Sequence, residues 1–246
     1  MPALGTLYLP AAAAYAAALL LLALGRRHAA LGALRAALAL HAAFLAARAL
    51  ALGAFSLNAV FEEQVFLPFC LAAIALWLWG SRGENEAAAV AVAAAAAALL
   101  VLPIDKGVIP PSPKSASTLV PLFFFCEILA HALFIAAAAL ACRRRGDPSL
   151  APAHRLAVWG FVLFSVAQVS GAAWCYLGWS VPFQWSFRHL HSAAIWCVYA
   201  AYIHLRFLPG WSERRRAAYL GAGALLLAAY LAALQFVEAG QLRIGG

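Results

Sequence analysis

Five ionisable side chains stand inside long apolar runs of this sequence, where charge is costly and a functional role is the default expectation. His41 and Arg48 lie seven residues apart, on one face of a helix. Glu127 and His131 are four apart and can pair directly. His204 stands two residues before Arg206, and His41 six residues after Arg35, about 9 Å along a helix. If those arginines mark a cytoplasmic rim, both histidines belong to the inner half of a bilayer. Two neutral imidazoles at similar depth on separate helices can hold a haem iron between them. Each can equally well hydrogen-bond across helices.

A second concentration of chemistry lies at residues 174–191. Trp174, Tyr176, Trp179, Phe183, Trp185 and Phe187 are followed by Arg188, His189 and His191, and the run leads into Trp196. Aromatic belts are common where helices leave a membrane, but this density exceeds a belt. Such a strip offers stacking surface to a planar hydrophobic ligand, with Arg188 available for its carboxylates.

The elements that position these residues follow from composition. Of 246 residues, 66% are hydrophobic and 11% charged, against about 25% charged in a soluble domain. The apolar residues fall in runs of about 20, the length a helix needs to cross about 30 Å of hydrocarbon. Alanine and leucine fill the runs, which favours helices over a barrel. Eight passes are expected, at 6–25, 33–54, 64–80, 87–103, 118–141, 156–176, 190–208 and 217–237, in a single all-α membrane domain over 1–246. The basic pair Arg26 and Arg27 follows the first run instead of preceding it, so that run reads as a retained helix and not a signal peptide. Residues 81–86 form a polar turn, and 104–117, with three prolines, an extramembrane loop.

Arginine placement sets the expected orientation. Alternate connectors hold Arg26, Arg27, Arg35, Arg82, Arg143, Arg144, Arg145, Arg155, Arg206, Arg214, Arg215 and Arg216 out of 17 basic residues. The other connectors and the tail hold Lys106, Lys114, Arg188 and Arg243. The arginine-rich side is expected to be cytoplasmic, with both termini outside and the 174–191 strip on the outer face. This flanking pattern accounts for the net charge of +8 without a nucleic-acid partner. Cys70, Cys126, Cys142, Cys175 and Cys197 lie in or at the ends of apolar runs with no Cys-x-x-Cys pair, so buried apolar roles are expected. No phosphate loop, Ser/His/Asp arrangement or zinc spacing occurs, and no side chain reads as a covalent catalyst.

The stretch 171–206, GAAWCYLGWSVPFQWSFRHLHSAAIWCVYAAYIHLR, resembles the tryptophan-rich segment and following helix of the cytochrome c assembly family. That family includes the haem-handling CcsA, ResC and CcmC proteins and the related HemX proteins. Trp174, Trp179 and Trp185 match its tryptophans, Phe183 replaces another, and Trp196, Tyr199, Tyr202, His204 and Arg206 fit the helix. An earlier stretch, LALHAAFLAARALALGAFSLNAVFEE, resembles the family's early helix, with His41, Arg48 and Glu62 in matching places.

The resemblance implies a haem-binding protein of the bacterial plasma (inner) membrane, carrying haem across it or presenting it for c-type cytochrome maturation. Its partners would be haem, apocytochrome c or another membrane assembly subunit, and the bilayer. By the same resemblance His41 and His204 form an inner site for haem b, with Arg48 near it. Trp174, Trp179, Phe183, Trp185 and Arg188 belong to the outer strip. The sequence departs from the pattern there: Ser186 replaces an aspartate, Phe123 stands where an outer histidine falls, and the C-terminal stretch lacks the second. His189 and His191 are the substitutes within reach. The alternative reading is a HemX-like scaffold or regulator that keeps the fold without outer haem display. A small-molecule transporter without haem has no internal repeat in its favour.

Overall fold

The computed structural model describes residues 6–53, 60–80, 86–101, 117–143 and 150–244. Among them are eight α-helices and no strand: α1 (Leu9–Ala23), α2 (Arg27–Leu52), α3 (Val60–Gly80), α4 (Glu86–Val101), α5 (Leu119–Arg143), α6 (Ala151–Trp179), α7 (Phe187–His204) and α8 (Glu213–Ile244). A 3-10 turn, Leu205–Phe207, follows α7. The chain is thus the helical membrane bundle expected. By length and composition α2, α3, α5, α6 and α8 can each cross a membrane, and α1 and α4 are shorter apolar helices. The proline-rich loop, the 81–85 turn, Ser56, Asn58, Lys106, Lys114, Arg144 and Arg145 lie outside the described residues.

Local sequence explains the joints. Pro10 opens α1, where its missing N–H costs nothing. Gly25, at φ 74°, closes α1, and the Arg26 amide reaches back to the Leu21 carbonyl at 2.8 Å, so three residues suffice to turn into α2. At the far end of α6, Ser180 takes the left-handed conformation at φ 61°, and Pro182 prevents the helix from resuming. Ser186 caps α7 by accepting from the His189 amide.

Packing divides the helices into two groups of four. In the first, α1 lies against α2 and α4, and α3 against the same two. In the second, α5 and α7 each lie against α6 and α8. α5 also packs on α3 and α4 and so joins the groups. Small residues make the contacts close, as they must where apolar lipid competes equally for every helix face. Ala72, Ala75, Ala89, Ala93 and Ala96 are buried between α3 and α4 and their neighbours. Gly160 on α6 is tighter still, since a Cβ there would stand 2.7 Å from the Phe134 ring of α5.

Three expectations need correction. α3 begins at Val60, before the expected 64, and Glu63, expected in the connector, is a buried helical residue, 2% exposed. α6 continues to Trp179 instead of ending near 176, so the strip from Trp174 to His191 is not one loop. Its first residues are the last turns of α6, its last are the first turn of α7, and residues 180–186 connect them. Cys70, Cys126 and Cys175 are buried as expected, whereas Cys142 and Cys197 are exposed on helix surfaces.

Candidate functional site

The end of α6 and the start of α7 enclose a cavity of about 440 Å³, within the range of about 300–1,000 Å³ usual for ligand pockets. Helical spacing builds both walls. From α6 come Gln168, Gly171, Ala172 and Cys175, and from α7 come His189, Ser192, Ala193 and Trp196. Each set follows i, i+3, i+4, i+7 and so forms one face. Trp174, Pro182, Phe183 and Arg188 complete the mouth, and Phe123 of α5 forms part of the lining. A Cβ on Gly171 would come within 3.0 Å of the Phe123 ring, so glycine gives that ring its place.

The aromatic residues are arranged edge to face. Trp174 and Trp179 have centroids 5.6 Å apart, Phe183 and Trp185 5.4 Å, and Phe183 and His189 5.3 Å. Of the strip residues expected to form a platform, Trp174, Phe183 and Arg188 line the cavity. Trp179 buttresses Trp174 from outside, and Trp185 is 86% exposed. His189 also lines the cavity, with Nδ1 2.8 Å from Ser186 Oγ and Nε2 3.5 Å from Cys175 Sγ. His191 faces elsewhere: its Nδ1–H donates to the Phe187 carbonyl and its ring stacks on Tyr230 of α8.

Arg188 connects the cavity to the bundle interior. Its Nη2–H donates to Glu127 Oε2 at 2.8 Å, and its guanidinium lies over the rings of Phe123 and Phe124 at 5.2 and 5.1 Å. The expected pairing of Glu127 with His131 does not form. Each finds a partner on a neighbouring helix instead, Glu127 on α7 and His131 on α3, where its Nδ1 bonds Glu63 Oε1. Arg48, buried on α2, lies with its guanidinium 5.6 Å from the Phe44 ring centre. The Glu62 side chain lies outside the described residues. Glu63 is the important residue that sequence reading passed over, because it looked like part of a connector.

His41 and His204 are not brought together. His41 is fully buried among α1, α2 and α3. Its Nε2–H donates to the Val65 carbonyl at 2.9 Å, which leaves Nδ1 to accept from the Tyr15 hydroxyl at 3.2 Å. His204 is exposed in the second group, where its Nδ1–H donates to the Ala200 carbonyl at 2.7 Å. The inner pair therefore does not form a shared haem site in this structure. The cavity's lining brings together aromatic rings, one cation and one imidazole.

No family model matches the chain. A partial stretch is similar to cytochrome c biogenesis proteins named CcsA. It is 36% identical over 74 residues to that of Prochlorococcus marinus, covering 30% of this chain and 23% of the relative. It is 35% identical over 74 residues to that of a Synechococcus species, and 34% over 64 residues to that of Thermosynechococcus vestitus. The matched stretch thus spans about a quarter of the length of these relatives. Over that stretch the chain is similar to CcsA proteins.

Proposed function

We propose that this chain handles haem during c-type cytochrome maturation in a bacterial plasma membrane, with the cavity between α6 and α7 as its haem site. The observation that carries this reading is that one cavity gathers Trp174, Phe183, Phe123 and Trp196 around Arg188 and His189. Aromatic walls suit a macrocycle, the guanidinium suits a propionate, and an imidazole can reach an iron. Haem is cargo in this reading. The thioether bonds would form on an apocytochrome partner, and this chain would supply binding and orientation. Arginine-rich connectors would face the cytoplasm and the cavity the outer side.

The inner pair of His41 and His204 belongs to the same proposal through the family resemblance. Ligation of one haem b iron by both needs the two helix groups to rearrange, because His41 already holds α1 to α3 with both ring nitrogens.

An ultraviolet–visible spectrum of the purified protein, made with ample haem, tests the reading. Haem absorbance that weakens in Trp174→Ala and His189→Ala supports the cavity. Loss of a low-spin spectrum in His41→Ala or His204→Ala would assign the inner pair. Protein without haem absorbance overturns the haem reading and leaves a HemX-like scaffold.

A further inference from the structure

The cavity and the buried charges of the bundle share one residue, Arg188. Its partner Glu127 is 1% exposed, and the second carboxylate oxygen, Oε1, has no hydrogen-bond partner. The other charged groups acting on Glu127 are Glu63 from α3 and His131 from α5, already bonded to each other. His131 Nε2 is likewise buried without a partner. On the cavity side, His189 of α7 and Cys175 of α6 are the titratable groups nearest the guanidinium. With Glu63 and His131 bonded to each other, Arg188 is the cation that holds Glu127 by a direct hydrogen bond.

We propose that the cavity is a proton-coupled site for flat apolar carboxylates, in which the ligand's carboxylate displaces Glu127 from Arg188 and Glu127 takes up a proton. This rests on the planar-ligand reading of the cavity and not on iron ligation. Before binding, the guanidinium is matched by Glu127. Afterwards it is matched by the ligand, and an ionised Glu127 would be left buried without its bonded partner, which burial strongly disfavours. An O–H bond forms on Glu127 with a proton drawn from solvent, and no covalent bond breaks. Glu127 thereby acts as a positioning residue for Arg188 and as the proton store of the exchange.

The sign follows from linkage. A ligand whose binding takes up one proton binds more tightly as pH falls and loses about tenfold in affinity per pH unit while the exchange operates. The probe is metal-free protoporphyrin IX, with its dimethyl ester as a carboxylate-free control. The full chain in lipid nanodiscs is titrated by tryptophan quenching between about pH 6.5 and about 8.5, where free carboxylic acids of ordinary pKa are ionised. A dye in weak buffer reports protons.

The free acid should take up about one proton per molecule bound, and the ester none. Glu127→Gln should abolish the uptake and flatten the pH dependence, with tighter binding at the upper pH because the competing carboxylate is gone. Equal uptake with acid and ester, pH-independent binding of the acid, or unchanged uptake in Glu127→Gln overturns the proposal. If that variant does not fold, the acid–ester comparison on the parent decides. Proton-coupled porphyrin binding without any haem absorbance would refute haem handling while upholding this exchange. Absence of porphyrin binding removes both.

Discussion

His131 of α5 and Glu63 of α3 are bonded to each other across the junction of the two helix groups, with side chains 1% and 3% exposed. Neither α3 nor α5 can rotate or slide along the other without stranding two ionisable groups in an apolar interior. Breaking the pair from either side, by Glu63→Ala or His131→Ala, is expected to cost about 3–5 kcal/mol. Replacing both with apolar residues of similar volume should cost far less. Unfolding in detergent measures all three, and a single variant as stable as the parent would contradict the assignment.

Close approach of α5 and α6 gives a second prediction. A Cβ at Gly160 would press on Phe134, a buried ring already stacked on Tyr199 at 3.4 Å. With that stack restricting how the ring can shift, Gly160→Ala should destabilise by about 1–3 kcal/mol. Gly32, on α2 with nothing within 4 Å, is the control. There alanine should be neutral or stabilise by up to about 1 kcal/mol through helix propensity.

Tyr15 tests the enclosure of His41. Tyr15→Phe removes the hydroxyl that His41 Nδ1 accepts from and should cost about 1–3 kcal/mol, because the imidazole acceptor stays buried and unsatisfied. The same variant should leave the cavity untouched, so quenching by porphyrin is expected to match the parent. A change in porphyrin binding would place His41 in communication with the strip.

Ser186 caps α7 and holds His189. Ser186→Ala should therefore lower stability by about 1 kcal/mol and loosen the imidazole at the cavity wall, seen as weaker haem absorbance. Ser186→Asp, an equally good cap, should restore both.

Orientation is checked by cysteine labelling in a background without the five native thiols. A cysteine at Gln184 should react with an impermeant reagent added outside, and one at Arg215 should not. Reactivity at 215 alone would invert the topology and move the cavity to the cytoplasmic face.

The helices were legible because a span of bilayer thickness imposes its own length on the sequence, and arginines and prolines punctuate it. What faced what was not. Helices that are apolar all round carry no stripe to show which side meets a neighbour. The spacing of Glu127 and His131 was therefore read as a pair, although their partners come from helices 61 and 68 residues away. Glu63 was hidden by its neighbour, since two adjacent acids beside a polar stretch resemble a connector. The aromatic strip was legible as chemistry but not as shape. The density of rings pointed to stacking surface, while Ser180 in a left-handed conformation, a choice that no periodicity marks, decided where α6 would stop.

The closed contacts within α1 to α4 have a consequence for biosynthesis. A ribosome releases those helices first, and they can surround His41 with Tyr15 and Val65 using only residues already made. Glu63 cannot be satisfied in that way, for its partner on α5 is translated 68 residues later. Until α5 inserts, the nascent first half carries an acid awaiting its base at the flank where the second half must dock. The order of synthesis thus turns an electrostatic debt into a docking instruction.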